Sequence, residues 1–191
     1  MRSFIAIELS KEIKDFLGSL QDKLKQSGAD VKWVEPKNIH LTLKFLGEIK
    51  EEKVDKVKLA LEESLKDRPC FYMQLGPLGC FPNTKFPRVI WIGIKEGDIE
   101  TRQIAEYLEE KMAKIGIPKE NRPFSSHITI GRVRSGLNIK NLIASLDTLT
   151  ANLSAQVLPG QTVNKIILFK STLTPKGPIY EPVKEASLKT I

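Results

Sequence analysis

IHLTLKFLG, residues 39–47, and SSHITIGR, residues 125–132, share one pattern: histidine, aliphatic residue, threonine, aliphatic residue. They hold the only two histidines of the chain, His40 and His127, each followed at the second position by a threonine, Thr42 and Thr129. Both stretches are rich enough in β-branched and aliphatic residues to form strands. In a strand, residues i and i+2 point to the same face. His40 and Thr42 therefore share one face, with Leu41 and Leu43 on the other; His127 and Thr129 oppose Ile128 and Ile130 in the same way. The aliphatic faces belong against helices. The His/Thr faces must look into a polar space, because unpaired polar groups are costly to bury.

Residues 3–9 read as a strand, followed by a helix from the N-cap Ser10 to the stop at Gly28, with Ile13, Phe16, Leu17, Leu20 and Leu24 at helical spacing. The first His/Thr strand comes next, then a helix over 51–67, then CFYMQLGPLGCF (70–81), strand-like until its glycines and proline interrupt it. The order then recurs: a strand over 87–94, a helix from Asp98 to Gly116, the second His/Thr strand, and a helix over 138–149. Two closing strands, 161–173 and 179–189, flank a turn at TPKGP. His40 and His127 lie 87 residues apart, as do Phe4 and Trp91 in the strands that open each half. The common offset predicts an internal repeat, 1–86 and 87–191, within one bilobal domain over 1–191, with PNTKFP (82–87) as the boundary between lobes. The expected class is α+β: two pseudo-twofold-related lobes, each an antiparallel sheet with helices on its outer side, around a central cleft.

At 191 residues, 41% hydrophobic and 28% charged, the chain is long and apolar enough for a substantial core. A net charge of +7 makes a polyanion a plausible partner, although the basic residues are dispersed. Cys70 and Cys80 have no metal-ligand spacing and read as free thiols. The N-terminal apolar run is too short for a signal peptide, and no segment approaches the ~18 apolar residues of a membrane span, so a cytoplasmic protein is expected.

Two imidazoles across one cleft supply a general base and a general acid near neutral pH. Two threonine hydroxyls can donate to phosphate oxygens. Neither a thiol–imidazole pair nor a metal donor set stands out. The chemistry this leaves is phosphoryl or phosphodiester transfer without metal or other cofactor, and a strained 2′,3′-cyclic phosphate suits it.

HLTLKFLGE and HITIGR resemble the paired His-x-Thr/Ser-x signature of the 2H phosphoesterases. FIAIEL at the start, Trp33, VIWIGI and the late GPIY are similar to their bacterial and archaeal RNA 2′,3′-cyclic phosphodiesterase branch, whose members are often labelled 2′-5′ RNA ligases. The resemblance spans essentially the whole chain. It implies hydrolysis of a 2′,3′-cyclic phosphodiester to a 2′-phosphomonoester, without metal; the expected partners are RNA ends or small 2′,3′-cyclic nucleotides, with no membrane, and the expected state is a monomer. It also implies roles: His127 as the base that activates water, His40 as the acid that protonates O3′, Thr42 and Thr129 as phosphate ligands.

Arg132 stands five residues after its histidine, a step that puts it on the opposite face unless a bulge near Gly131 redirects it; the resemblance implies substrate contact. Phe45, at the same step after His40, reads as core before base-stacking platform. Phe4 and Tyr180 are further candidates for the cleft rim, where aromatics stack on a nucleobase. FPNTKFPR (81–88) reads as a lobe connector, or as a loop whose Lys85 and Arg88 meet RNA phosphates. Three alternatives use the same residues: ligation of a cyclic end to a 5′-hydroxyl, an RNA-binding module without turnover, and strand cleavage by transphosphorylation.

Overall fold

A computed structural model describes residues 1–190. In chain order the elements are β1 (Arg2–Glu8), α1 (Lys11–Lys25), β2 (Val31–Trp33), β3 (His40–Glu48), α2 (Glu51–Leu65), β4 (Phe71–Phe81), β5 (Val89–Glu96), α3 (Asp98–Lys114), β6 (His127–Val133), α4 (Ile139–Ser154), β7 (Gly160–Val163), β8 (Lys165–Thr174) and β9 (Gly177–Ser187). A 3-10 turn at Pro36–Asn38 leads into β3. The strands form two antiparallel sheets, β3-β1-β8-β9 and β2-β6-β5-β4-β7.

Neither sheet is drawn from one half of the chain. The first takes β1 and β3 from the start and β8 and β9 from the end; the second takes β2 and β4 together with β5, β6 and β7. The helices cross over as well. α2 and α3 pack on each other and cover the first sheet, whereas α1 and α4 cover the second. PNTKFP is a hairpin loop within the second sheet, between the paired strands β4 and β5, and not a junction between lobes. The single strand expected over 161–173 is two. β7 lies in the second sheet and β8 in the first, and the exposed Asn164 sits where the chain changes sheets. Conversely, β4 runs through Gly76 and Pro77. Its register with β5 shifts there, so the proline's missing N–H falls at a bulge and costs no ladder bond.

Alternation sorts each strand between two environments. Ile5, Ile7, Leu41, Leu43, Ile166 and Leu168 of the first sheet, and Ile90, Ile92, Ile128 and Ile130 of the second, are buried in the main core. Helix α1 adds Ile13, Leu17, Leu20 and Leu24, and its N-terminus is capped by Ser10, whose Oγ accepts from the Ile13 N–H at 3.3 Å. The other face of the first sheet carries a separate cluster of Phe4, Ala6, Ile167 and Phe169 with Tyr180 packed on it. That face floors the cleft.

Candidate active site

His40 and His127 are the first residues of β3 and β6, which pack against each other where the lobes meet. Each ring is tied to the backbone two residues upstream. Nδ1 of His40 lies 2.8 Å from the Asn38 carbonyl, and Nδ1 of His127 lies 2.7 Å from the Ser125 carbonyl. A carbonyl only accepts, so Nδ1 carries the hydrogen and Nε2 of each ring is left for the cleft. The two carbonyls were not evident from residue type, but they sit at the same −2 position in both motifs. Asn38 is itself buried and fixed by its side-chain amide, which donates to the Pro178 carbonyl at 3.0 Å.

The strand registers explain the residues beyond the threonines. Along β3, Thr42 faces Ala6 and Lys44 faces Ile5, so two residues on β3 match one step on β1, with Leu43 as the inserted residue. Along β6, Thr129 faces Trp91 and Gly131 faces Ile90, with Ile130 inserted. A bulge of this kind turns two successive residues to the same side and resets the alternation. Phe45 and Arg132 thereby return to the cleft face, opposite Phe4 and Val89 respectively. Phe45 is 58% exposed, which overturns its reading as core. The register also corrects the opening-strand equivalence: Ala6 and Trp91, 85 residues apart, face the two threonines, and the counterpart of Phe4 is Val89.

Phe4 is not on the rim. It is 4% exposed and stacks on His40 with ring centroids 4.6 Å apart and on Phe169 at 5.3 Å. Tyr180 meets His40 edge-on at 5.3 Å and closes the other flank of that imidazole. Burial among these rings lowers the His40 pKa from its ordinary 6.5 to about 4; the hydrogen bond to Asn38 opposes the shift and the charge of Lys14 adds to it. The Tyr180 phenol is pushed up by burial, while the charges of Arg132 and Arg2, from different sheets, pull it down. A cavity of about 150 Å³ opens beside His40, between Phe4, Tyr180, Lys14 and Lys37. His127 has a parallel but looser aromatic setting, with Phe81 edge-on at 5.1 Å and Trp91 at 6.5 Å.

Lys44, one step before Phe45, was not singled out by sequence reasoning. The bulge turns it into the core, where its side chain is 1% exposed and its ammonium lies 2.8 Å from Glu109 of α3 and 2.9 Å from the Pro118 carbonyl. Glu109 also accepts from the Glu120 N–H at 3.2 Å, so the pair ties β3 to the segment that runs into His127. Cys70 and Cys80 are free thiols, and among the described residues no three His, Cys, Asp or Glu side chains converge as a metal site. No helix among them is long and apolar enough to cross a membrane.

Comparison with known proteins agrees with this architecture. The model of the family described as LigT like Phosphoesterase matches residues 7–91 and again 92–180. A Methanocaldococcus jannaschii protein named RNA 2′,3′-cyclic phosphodiesterase is 39% identical over 186 residues, covering 97% of this chain and 99% of its own. A protein of the same name from Aquifex aeolicus is 37% identical, covering 97% and 96%. Among solved structures, a Thermus thermophilus protein superposes with a TM-score of 0.79 at 27% identity, covering 100% of this chain and 99% of its own. E. coli LigT complexed with 3′-AMP gives 0.77 at 26% identity, covering 98% of each.

Proposed function

This chain belongs to the LigT-like phosphoesterase family, and from that membership we propose that it hydrolyses the 2′,3′-cyclic phosphodiester of RNA ends to a 2′-phosphomonoester, with His127 as base and His40 as acid. The observation that carries the reading is the matched pair of imidazoles, each held through Nδ1 by a backbone carbonyl and each with a threonine two residues on along the same face. Nε2 of His127 takes a proton from water as the water oxygen bonds to phosphorus. The P–O3′ bond breaks, and O3′ takes the proton carried on Nε2 of His40. The products are a 3′-hydroxyl and a 2′-phosphate. Thr42 and Thr129 donate to the non-bridging oxygens, and no step requires a metal.

The low pKa of His40 suits an acid that is loaded by its substrate. Alone, the buried ring stays neutral near pH 7. A phosphate anion within about 4–6 Å favours the charged form. Charge that then moves to O3′ withdraws this support, and the proton is released where it is needed. The direct test is incubation of purified protein with 2′,3′-cyclic AMP and excess chelator. The expected product is 2′-AMP alone; a 3′-AMP product, or activity abolished by the chelator, would refute the reading.

A further inference from the structure

We infer that the outer part of β6 is a second phosphate site, for the phosphodiester next to the cyclic end of an RNA strand, and that the enzyme therefore favours an oligonucleotide end over a cyclic mononucleotide. This rests on the hydrolysis proposed above and adds a subsite to it.

The argument starts from a like-charge pair. Lys32 of β2 lies directly opposite Arg132 of β6. Like charges in that position destabilise a sheet. Among the described residues neither side chain has an ion-pair partner, and neither do Arg134 and Arg2. Val31 and Trp33 pack on the core, so Lys32 between them points to the opposite, cleft-side face. Arg134 follows Arg132 by two residues, and its N–H bonds to the Asp30 carbonyl, which extends the same pairing. Arg2 of β1 has the parity of Phe4 and approaches from the facing lobe. Two carboxylates adjoin these cations: Asp30, next to the row in sequence, makes no ion pair among the described residues, and Glu48, directly opposite Arg2, pairs with the N-terminal ammonium. Lys32, Arg132 and Arg134 thus line one side of the cleft with Arg2 on the other, and an anion that bridges Lys32 and Arg132 would relieve their repulsion.

The spacing fits a polynucleotide. With Ile130 inserted, Thr129 and Arg132 stand opposite Trp91 and Val89, two steps apart on β5; at about 3.3 Å per residue that is roughly 7 Å along the sheet, so the two ends of this face can take neighbouring phosphates of one chain. Across the cleft, Phe45 occupies the step equivalent to Arg132 and exposes its ring. Cations beside an exposed aromatic are the elements of a single-strand site, the cations tracking phosphates and the ring stacking on a base.

The test compares 2′,3′-cyclic AMP with an adenosine trinucleotide bearing the same cyclic end, in the wild type and in Lys32→Ala and Arg134→Ala. Both substitutions are on the surface, and an unchanged Tm establishes folding. In the wild type, kcat/KM should be about tenfold or more higher on the trinucleotide, consistent with one added phosphate contact. Each substitution should remove much of that gain and leave the mononucleotide rate within about twofold, since a lost phosphate contact weakens only the longer ligand. Binding of a labelled trinucleotide 2′-phosphate, followed by anisotropy, should lose about 0.7 from its log Kd against log salt slope per contact removed. Equal kcat/KM for both lengths in the wild type, or equal losses on both in Lys32→Ala, overturns the subsite while the hydrolytic reading stands. Lys32-dependent trinucleotide binding without hydrolysis of either substrate supports the subsite and overturns the hydrolytic reading.

Discussion

Phe45 and Arg132 occupy the same step of two related strands, five residues after a histidine and just past an inserted residue. The scaffold thus presents two different groups, an exposed ring and a guanidinium, at equivalent points of the two lobes. The cleft is symmetric in its His/Thr pairs and asymmetric beyond them.

His40→Ala and His127→Ala should each lower kcat on a 2′,3′-cyclic nucleotide by about 10²–10⁴, the contribution of a general acid or base. A substrate with sulfur at the bridging 3′ position separates the roles, because a thiolate leaves without a proton. Rescue of His40→Ala but not of His127→Ala by that substrate is the expected result. The opposite pattern would exchange the assignments.

Thr42→Val and Thr129→Val retain shape and remove a donor. A hydrogen bond to a charged group contributes about 1.5–3 kcal/mol. Each change should therefore reduce kcat/KM by about 10- to 100-fold, measured under steady-state conditions, with little change in Tm.

Burial of His40 has two pH signatures. Its folded pKa of about 4 lies below the ordinary 6.5, so between these values the unfolded chain binds a proton that the native state does not. Its contribution to stability is then present above 6.5 and is lost as pH falls towards 4. The fall in Tm between pH 7 and pH 4.5 should be smaller in His40→Gln than in the wild type. Sulfate, which does not itself titrate near pH 7, should bind there with uptake of a proton, visible by calorimetry in buffers of different ionisation enthalpy, and His40→Gln should abolish the uptake.

Lys44→Ala leaves the half-buried Glu109 carboxylate without its cation. Breaking a buried pair from one side costs about 3–5 kcal/mol, to be read from denaturant midpoints. Lys44→Met combined with Glu109→Leu should recover much of that loss, because both charges are then gone.

A Cβ at Gly79 would stand 2.5 Å from Cζ2 of Trp91. Gly79→Ala must displace the indole that lines the His127 side of the cleft. Overpacking of this kind costs about 1–3 kcal/mol, and activity should fall with stability, whereas Gly136→Ala, with open space around its Cβ, should affect neither.

The residues that alternate regularly could be read from sequence. His40, Thr42, Leu41 and Leu43 follow period two, and their faces are as the pattern predicts; the amphipathic stripe of α1 is equally plain. What failed is whatever depends on a partner strand. The bulges at Leu43 and Ile130 arise from register against β1 and β5, so local alternation misplaced Phe45 and left Arg132 open. Lys44 looks like a surface lysine until the same bulge turns it inward to Glu109, 65 residues away. The split of 161–173 at Asn164 also lies beyond propensity, because both sides have strand composition and only the sheets they join distinguish them.

The exchange of strands and helices between the sheets has a mechanical consequence. A fragment ending at residue 86 would carry β2 and β4 without the β5 and β6 that separate them in their sheet, and α1 without α4. Neither half carries a complete sheet of its own. Opening the lobes at a hinge would strain these interlaced connections, so the fold favours a fixed separation of His40 and His127 on their separate sheets, which the proposed hydrolysis asks of an acid and a base.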